Sequence, residues 1–295
     1  MANARDIKKR MKAVGNIRRI TKTMQMIATA KFQASQRRVT ASKPYSGKIA
    51  ELVGAPAGAV NRAGGGVSHP LLASPQPAVG RQLLLVLSSS RGLCGGYNGN
   101  VLRKAAGFLR EQAEAGGQTR LELVGKKGQS YFRFQGTKVD QFHSHFTDKP
   151  AYDDVEALAE RYMAEFAEGQ YDAVNVAYMA FETASRQTPT VRRLLPLEPP
   201  KVAEQGKTAA IEYEFSPQPD VLLNELLPIT VKTTLFQCFN EAAVGEHIAR
   251  MVAMKAATDA ATKMGKDLTR VYNRARQAAI TTELSEIIAG AAALD

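Results

Sequence analysis

Two cysteines, no tryptophan and no apolar run of bilayer length characterise this chain of 295 residues. Cys94 and Cys238 lie far apart and form no C-x-x-C, which leaves no disulfide framework and fits a reducing compartment with both thiols in packing roles. No stretch approaches the ~20 apolar residues needed to cross a bilayer, and no signal-peptide apolar core is visible. Acid is scarce at one end. The first 48 residues hold thirteen Lys or Arg, led by Arg5, Lys8, Lys9, Arg10 and Lys12, against Asp6 alone. The remainder holds 26 basic and 27 acidic residues, so the net charge of +11 lies in that segment. Proline is absent from Ile229 onward, and Gly245, Gly265 and Gly290 are the only glycines there.

With so little punctuation, the C-terminal segment is expected to form one helix, roughly 100 Å long, that projects from any globular body. Leu268, Val271, Ala275 and Ala278 recur at heptad-like spacing, followed by a shifted stripe of Ile280, Leu284, Ile287 and Ala291. A run of small residues, among them Ala249, Ala253, Ala257 and Ala261, lets a second backbone come close. The expected partner is the N-terminal helix, where Ile7, Met11, Val14, Ile17, Ile20, Met24 and Ile27 are three or four apart, a spacing that favours a left-handed supercoil. Pro44 is expected to end or kink that helix.

The basic stripe on the first helix suits nucleic acid, an anionic membrane or an acidic protein, or simply a solvated face, and charge alone does not choose. No aromatic residue stands among these charges before Phe32, and no reader motif is recognisable, which argues against nucleic acid. Lys and Arg spread around the helix, which argues against a membrane-surface helix.

Between the helices, short apolar runs alternate with helical stretches. Strands are expected near Gln82–Ser88, Arg120–Gly125, Lys138–Phe142, Ala173–Phe181 and Thr190–Leu195, and helices over Leu102–Ala115, Gly128–Phe134 and Val155–Ala167. This order predicts a mainly parallel sheet with helices on its faces. A further edge strand is expected at Ala209–Phe215, with the final helix opening near Pro219. Gly54–Gly80, rich in Gly, Pro and Ala, reads as a linker or surface loop. The domains are thus 1–57, a first shaft helix; 81–216, a Rossmann-like α/β insert; and 217–295, a second shaft helix that pairs antiparallel with the first.

Catalytic signals are weak. Arg91–Val101 follows a strand and precedes a helix, but its glycines do not follow G-x-G-x-x-G and no G-K-[ST] supplies a phosphate-binding lysine. His143 and His145 form an H-x-H without a supporting ligand cluster and read as two surface histidines. Cys94 has no histidine near it in sequence to activate the thiol. Asp153 and Asp154 open a helix, where carboxylates favour the dipole. No metal or cofactor is called for.

Three segments carry a family resemblance. The stretch Ser88-Ser89-Ser90-Arg91-Gly92-Leu93-Cys94-Gly95-Gly96 is close to S-S-D-R-G-L-C-G-G, with Ser90 in place of the usual aspartate. Ile20–Lys31, with the sequence ITKTMQMIATAK, and Tyr272–Ala293, with YNRARQAAITTELSEIIAGAAA, match in register. Together they resemble the γ subunit of F-type ATP synthases, bacterial type, over nearly the whole chain except the Gly54–Gly80 loop. The basic N-terminus therefore reads as mature protein rather than a transit peptide, and the cysteine-pair insert of redox-switched chloroplast members is missing.

The resemblance implies a central rotor stalk without catalytic residues of its own, within an ion-translocating ATP synthase. Ion flow would turn the stalk and a membrane ring of c subunits together. Its implied partners are the α and β subunits of the catalytic hexamer, the epsilon subunit and the c ring. Nucleic acid is not among them, and attachment is indirect, at the cytoplasmic face of the bacterial plasma membrane. Met24, Arg276, Gln277, Thr281, Thr282 and Glu283 are the implied contacts with α and β, Met24 facing an acidic β segment. The Tyr213 region is the implied contact with epsilon and the c ring. The alternative is a nucleotide-binding α/β domain with helical dimerisation arms; a basic coiled coil binding nucleic acid ranks third.

Overall fold

A computed structural model describes residues 4–62, 69–72, 80–197 and 219–292. Its elements are α1 (Ala4–Arg62), β1 (Arg81–Leu87), α2 (Tyr97–Glu114), β2 (Gln118–Val124), α3 (Lys126–Phe134), β3 (Gln141–His143), α4 (Tyr152–Ala167), β4 (Ala173–Phe181), β5 (Gln187–Leu195) and α5 (Pro219–Ala292). The expected edge strand at Ala209–Phe215, and with it Tyr213, falls outside the described residues.

The chain divides into two compact units, one of residues 1–30 and 250–295, the other of residues 31–249. The second unit is built on a five-stranded sheet of order β3-β2-β1-β4-β5. The first four strands are parallel, as the alternation of strands and helices predicts, and β5 returns antiparallel beside β4 as a hairpin. β1 is central and fully buried from Leu83 to Leu87, which explains its unbroken apolar run. Alternate β1 side chains feed two cores. Leu83, Leu85 and Leu87 join Val155, Tyr162 and Phe166 of α4 and Leu223, Leu227, Val231 and Phe239 of α5. Leu84 and Val86 join Val101, Leu102 and Ala105 of α2 and Phe132 of α3. A third cluster sets Val39 and Phe32 of α1 against Val244 and Ile248 of α5, with Phe181 at the end of β4.

The first unit is an antiparallel helix pair, fixed in register where Thr258 meets Thr21. Ile7, Thr21 and Ala28 of α1 are buried, and Met11, Val14 and Gln25 are half-buried. Ile17, Ile20 and Ile27, expected in this seam, are exposed instead. The reason is geometric. Each residue advances about 100° around a helix, so two successive steps of three from Val14 to Ile20 carry a stripe off the contact line. Alternating steps of four and three, through Arg18, Thr21, Gln25 and Ala28, stay on it. On α5 the same spacing places Met254, Thr258 and Ala261 in buried positions and Gly265, Leu268, Tyr272 and Ala275 in half-buried ones. Val271 is exposed, and so is the expected stripe at Ile280, Leu284 and Ile287.

Two punctuation readings also need correction. α1 runs through Pro44 rather than ending there, and residues 54–62, expected as linker, are its last turns. Ala55, Ala57 and Ala59 are strong helix formers set among Gly54, Pro56 and Gly58, so the local signals oppose one another. Within the remaining linker, Leu71 is buried in the core and its carbonyl accepts from the backbone N–H of Leu197 at 2.8 Å.

Candidate partner-contact site

The residues implied as partner contacts divide into two groups. Met24 lies half-buried beside the seam of the helix pair, in a stripe with exposed Ile17, Ile20 and Ile27 and with Arg18, Arg19 and Lys22 exposed around it. Arg276, Gln277, Thr281, Thr282 and Glu283 are all exposed on α5. The Thr21–Thr258 pairing puts Met24 opposite residue 255, so at 1.5 Å per residue about 30 Å of helix separates it from Arg276. The two groups are therefore separate surfaces.

The second group belongs to a stretch of α5 that this chain leaves bare. From Arg276 to Gly290 every residue is exposed, because the pairing brings α1 to its start opposite Ala275. Thr281 donates to the Gln277 carbonyl at 3.0 Å and Thr282 to that of Ala278 at 3.0 Å, so both hydroxyls are engaged by their own helix. The guanidinium, amide and carboxylate of Arg276, Gln277 and Glu283 stand in solvent beside exposed Ile280, Leu284, Ile287 and Ile288. Such a surface can bind by apolar burial with polar groups setting orientation, and it offers no constellation for bond-breaking. At the same end of the pair, Arg5, Lys8, Lys9, Met11 and Lys12 of α1 line an open basic surface.

The glycine loop between β1 and α2 is closed on itself. Asn98 accepts from the Ser89 N–H at 3.0 Å, donates to the Ser89 hydroxyl at 2.8 Å and reaches the Cys94 sulfur at 3.1 Å. Cys94 is buried, as its packing role predicts. Ser88 donates to the Val124 carbonyl at 2.8 Å and accepts from the Gly128 N–H at 2.9 Å, tying the loop to the start of α3. A Cβ at Gly125, where φ is +91°, would come within 2.1 Å of the Ser88 carbonyl oxygen, so this crossing requires glycine. Ser90, where the family pattern has aspartate, is exposed. The loop's polar groups thus serve its own geometry, and the feature that motivates a nucleotide site is accounted for as a turn.

His143 is buried rather than superficial, while His145 is exposed. The cause is Glu122, a fully buried carboxylate on β2 that gives no distinctive signal in a strand reading of Arg120–Gly125. His143 Nε2 lies 2.8 Å from it, Tyr162 donates to it at 2.9 Å, and Arg161 grips it with two bonds of 2.6 and 3.1 Å. Burial alone would raise the Glu122 pKa, but the hydrogen bonds from His143 and Arg161 and the guanidinium charge bring it down to about 2. Burial and the neighbouring carboxylate push the Tyr162 phenol well up. Cys238, fully buried on α5, is pushed up to about 12 by burial, so this thiol stays protonated and inert. Among the described residues no group of His, Cys, Asp and Glu could hold a metal ion.

A second charged cluster surrounds Asp148 in the loop between β3 and α4. It receives Lys31 of α1, lies 3.9 Å from Nε2 of buried His247 on α5, and feels the charge of Arg91. Burial would raise the Asp148 pKa, and the hydrogen bond and charge of Lys31 lead the contacts that hold it below the usual range. No described helix is long and apolar enough to cross a membrane.

The family described as ATP synthase matches residues 3–294. The ATP synthase gamma chain of Rhodopirellula baltica is 41% identical over 300 residues, and that of Pelotomaculum thermopropionicum 38% over 295 residues, each match covering 100% of both chains. Among solved structures, a chain of the Euglena gracilis mitochondrial ATP synthase (OSCP/F1/c-ring, rotational state 3) is similar at a TM-score of 0.64 and 18% identity, covering 99% of this chain and 94% of that one. A chain of the rotor of the same synthase gives a TM-score of 0.59 at 17% identity, covering 94% and 98%. The full-length relationship and the fold agree: the chain belongs to the ATP synthase gamma-chain family.

Proposed function

We propose that this chain turns as the central rotor stalk of an ATP synthase, coupling ion-driven rotation of a membrane c ring to conformational cycling of catalytic β subunits. The observation that carries the reading is the end-to-end relationship with bacterial gamma chains, 41% and 38% identical with both chains covered in full. The bare end of α5 supports it, since exposed Ile280, Leu284, Ile287 and Ile288 on one short stretch call for a surrounding partner.

The mechanism is that of a cam. An antiparallel pair of two different helices has no threefold symmetry, so three otherwise identical catalytic sites around it would each meet a different face. A partner shifts a conformational equilibrium only by its differential interaction with the two states, and rotation carries those differences from site to site. In this reading Arg276, Gln277, Thr281, Thr282 and Glu283 orient the shaft tip among α and β loops. Met24 and its apolar stripe, with Arg18, Arg19 and Lys22 around it, meet an acidic β segment. Epsilon and the c ring hold the foot, with the Tyr213 region as contact, which makes membrane attachment indirect and places the chain at the cytoplasmic face of the bacterial plasma membrane.

Affinity capture of the tagged chain from its own cells, without crosslinker, tests the reading. Recovery of α, β and epsilon subunits with ATPase activity is expected, and the isolated chain should neither bind nor hydrolyse ATP. Stoichiometric micromolar ATP binding by the isolated chain, with no catalytic subunits recovered, would favour the nucleotide-binding alternative.

A further inference from the structure

The loop 144–151 joins three elements of the second unit. Phe146 is buried with its ring 4.6 Å from that of Phe239 on α5, and exposed His145 stacks on Phe146 at 4.1 Å. Two residues on, Asp148 receives Lys31 from α1 and faces His247 on α5. Lys31 is the first residue of α1 that belongs to this unit, and His247 is two residues from the last of α5 that does. Asp148 therefore hydrogen-bonds α1 through Lys31 and lies beside His247 of α5 without a hydrogen bond to it.

The two helices are otherwise held very differently. α5 buries Leu223, Leu227, Val231, Leu235 and Phe239 in the main core, and Lys232 bridges Glu156 and Glu160 of α4 at 2.8 and 2.6 Å. α1, over residues 31–41, contributes Val39 and Phe32 to a small apolar cluster. Apolar burial is non-directional, so such a cluster opposes separation but resists turning of the helix about its own axis only weakly. A charge-assisted hydrogen bond at the end of a lysine arm is directional and acts off the axis, where it opposes twist. The Lys31 and Asp148 side chains are 39% and 27% exposed, so solvent screens the pair only in part.

We infer that Asp148 is a torsional latch, a positioning residue that locks α1 to the α/β body in which α5 is already packed, so that load entering the sheet turns both helices together. The inference rests on the rotor reading above. It assigns to the 144–151 loop a role in carrying torque, distinct from any contact with the catalytic subunits.

The test uses assembled complexes carrying Lys31→Gln, Asp148→Asn, both together, or Lys31→Arg. The torsional stiffness of the rotor is read from angular fluctuations of a bead on the stalk with the hexamer stalled. Proton pumping per ATP hydrolysed is measured alongside. Each neutral variant should lose stiffness and lower the pumping ratio with the full subunit complement present, the double variant should lose no more than either single one, and Lys31→Arg should retain both properties. Unchanged stiffness in the single variants, or strictly additive losses in the double, would overturn the latch. Should either neutral variant fail to assemble, Lys31→Arg decides: stiffness like that of the parent supports the latch, and a loss as large as that of the remaining neutral variant overturns it. A parent complex that hydrolyses ATP without turning the bead would instead refute the rotor reading, which separates the two failures.

Discussion

The hydroxyl of Thr258 on α5 donates to that of Thr21 on α1 at 2.9 Å, and Thr21 in turn donates to its own helix at the Arg18 carbonyl, 3.1 Å away. Both threonines are buried, and the other buried seam positions, Ile7, Ala28, Met254 and Ala261, are small or apolar. The Thr258 hydroxyl also has the Met254 carbonyl of its own helix at 2.8 Å, so a shifted register would lose the bond across the seam while each hydroxyl kept an acceptor on its own helix.

Thr258→Val and Thr21→Val should each destabilise the chain by roughly 1 kcal/mol, and the double variant by less than the sum, since the one hydrogen bond they share can be lost only once. Urea unfolding of the four proteins measures this. Simple additivity would mean that the two hydroxyls do not act as a pair.

Glu122 makes stability depend on acid. Its folded pKa of about 2 lies below the ordinary 4.5, so its contribution is complete above about pH 4.5 and disappears as pH falls towards 2. A tenfold difference in proton affinity between the folded and unfolded chain corresponds to about 1.4 kcal/mol. Glu122→Gln should weaken this acid dependence in the urea midpoint and lower stability near pH 7 by roughly 3 kcal/mol, because Arg161 and Arg120 lose their buried counter-charge. An equally steep acid dependence in the variant would assign it to other carboxylates.

Gly125→Ala should cost roughly 3 kcal/mol or more, combining a positive φ with a Cβ placed 2.1 Å from the Ser88 carbonyl oxygen. Gly136→Ala is the comparison: φ there is +69° but nothing lies within 4 Å of the added carbon, so only the backbone strain remains and the loss should be smaller. Thermal unfolding of the two variants distinguishes clash from strain.

The parts of the fold that can be read from residues alone are those where one physical signal dominates. β1 declares itself by an unbroken apolar run and β4 by one that Asn175 alone interrupts, both buried on both faces, and α4 by its amphipathic spacing with Asp153 and Asp154 at its start. The helix seam is legible at Ile7, Met11 and Val14 and is lost beyond them, because hydrophobicity favours Ile17 and Ile20 whereas close packing favours Thr21 and Ala28. Small and polar seam residues carry little hydropathy signal, although their alternating four-and-three spacing is a usable one. His143 reads as a surface residue because its partner Glu122 is 21 residues away in sequence, and only the parallel pairing of β2 with β3 joins them. Asp148, Lys31 and His247 come from three separate elements and share no local pattern. The partner-facing residues are accessible only through the family resemblance, since an exposed Arg276 or Gln277 on a polar helix has no intrinsic mark of function.

The most direct measurement of the central claim is rotation itself. With the catalytic hexamer fixed to a surface and a bead attached to a unique cysteine in a double Cys94→Ala, Cys238→Ala background, ATP should drive unidirectional, stepwise turning of this chain. Steady ATP hydrolysis by the same immobilised complexes, with the bead showing only thermal fluctuation about one angle, would contradict the account.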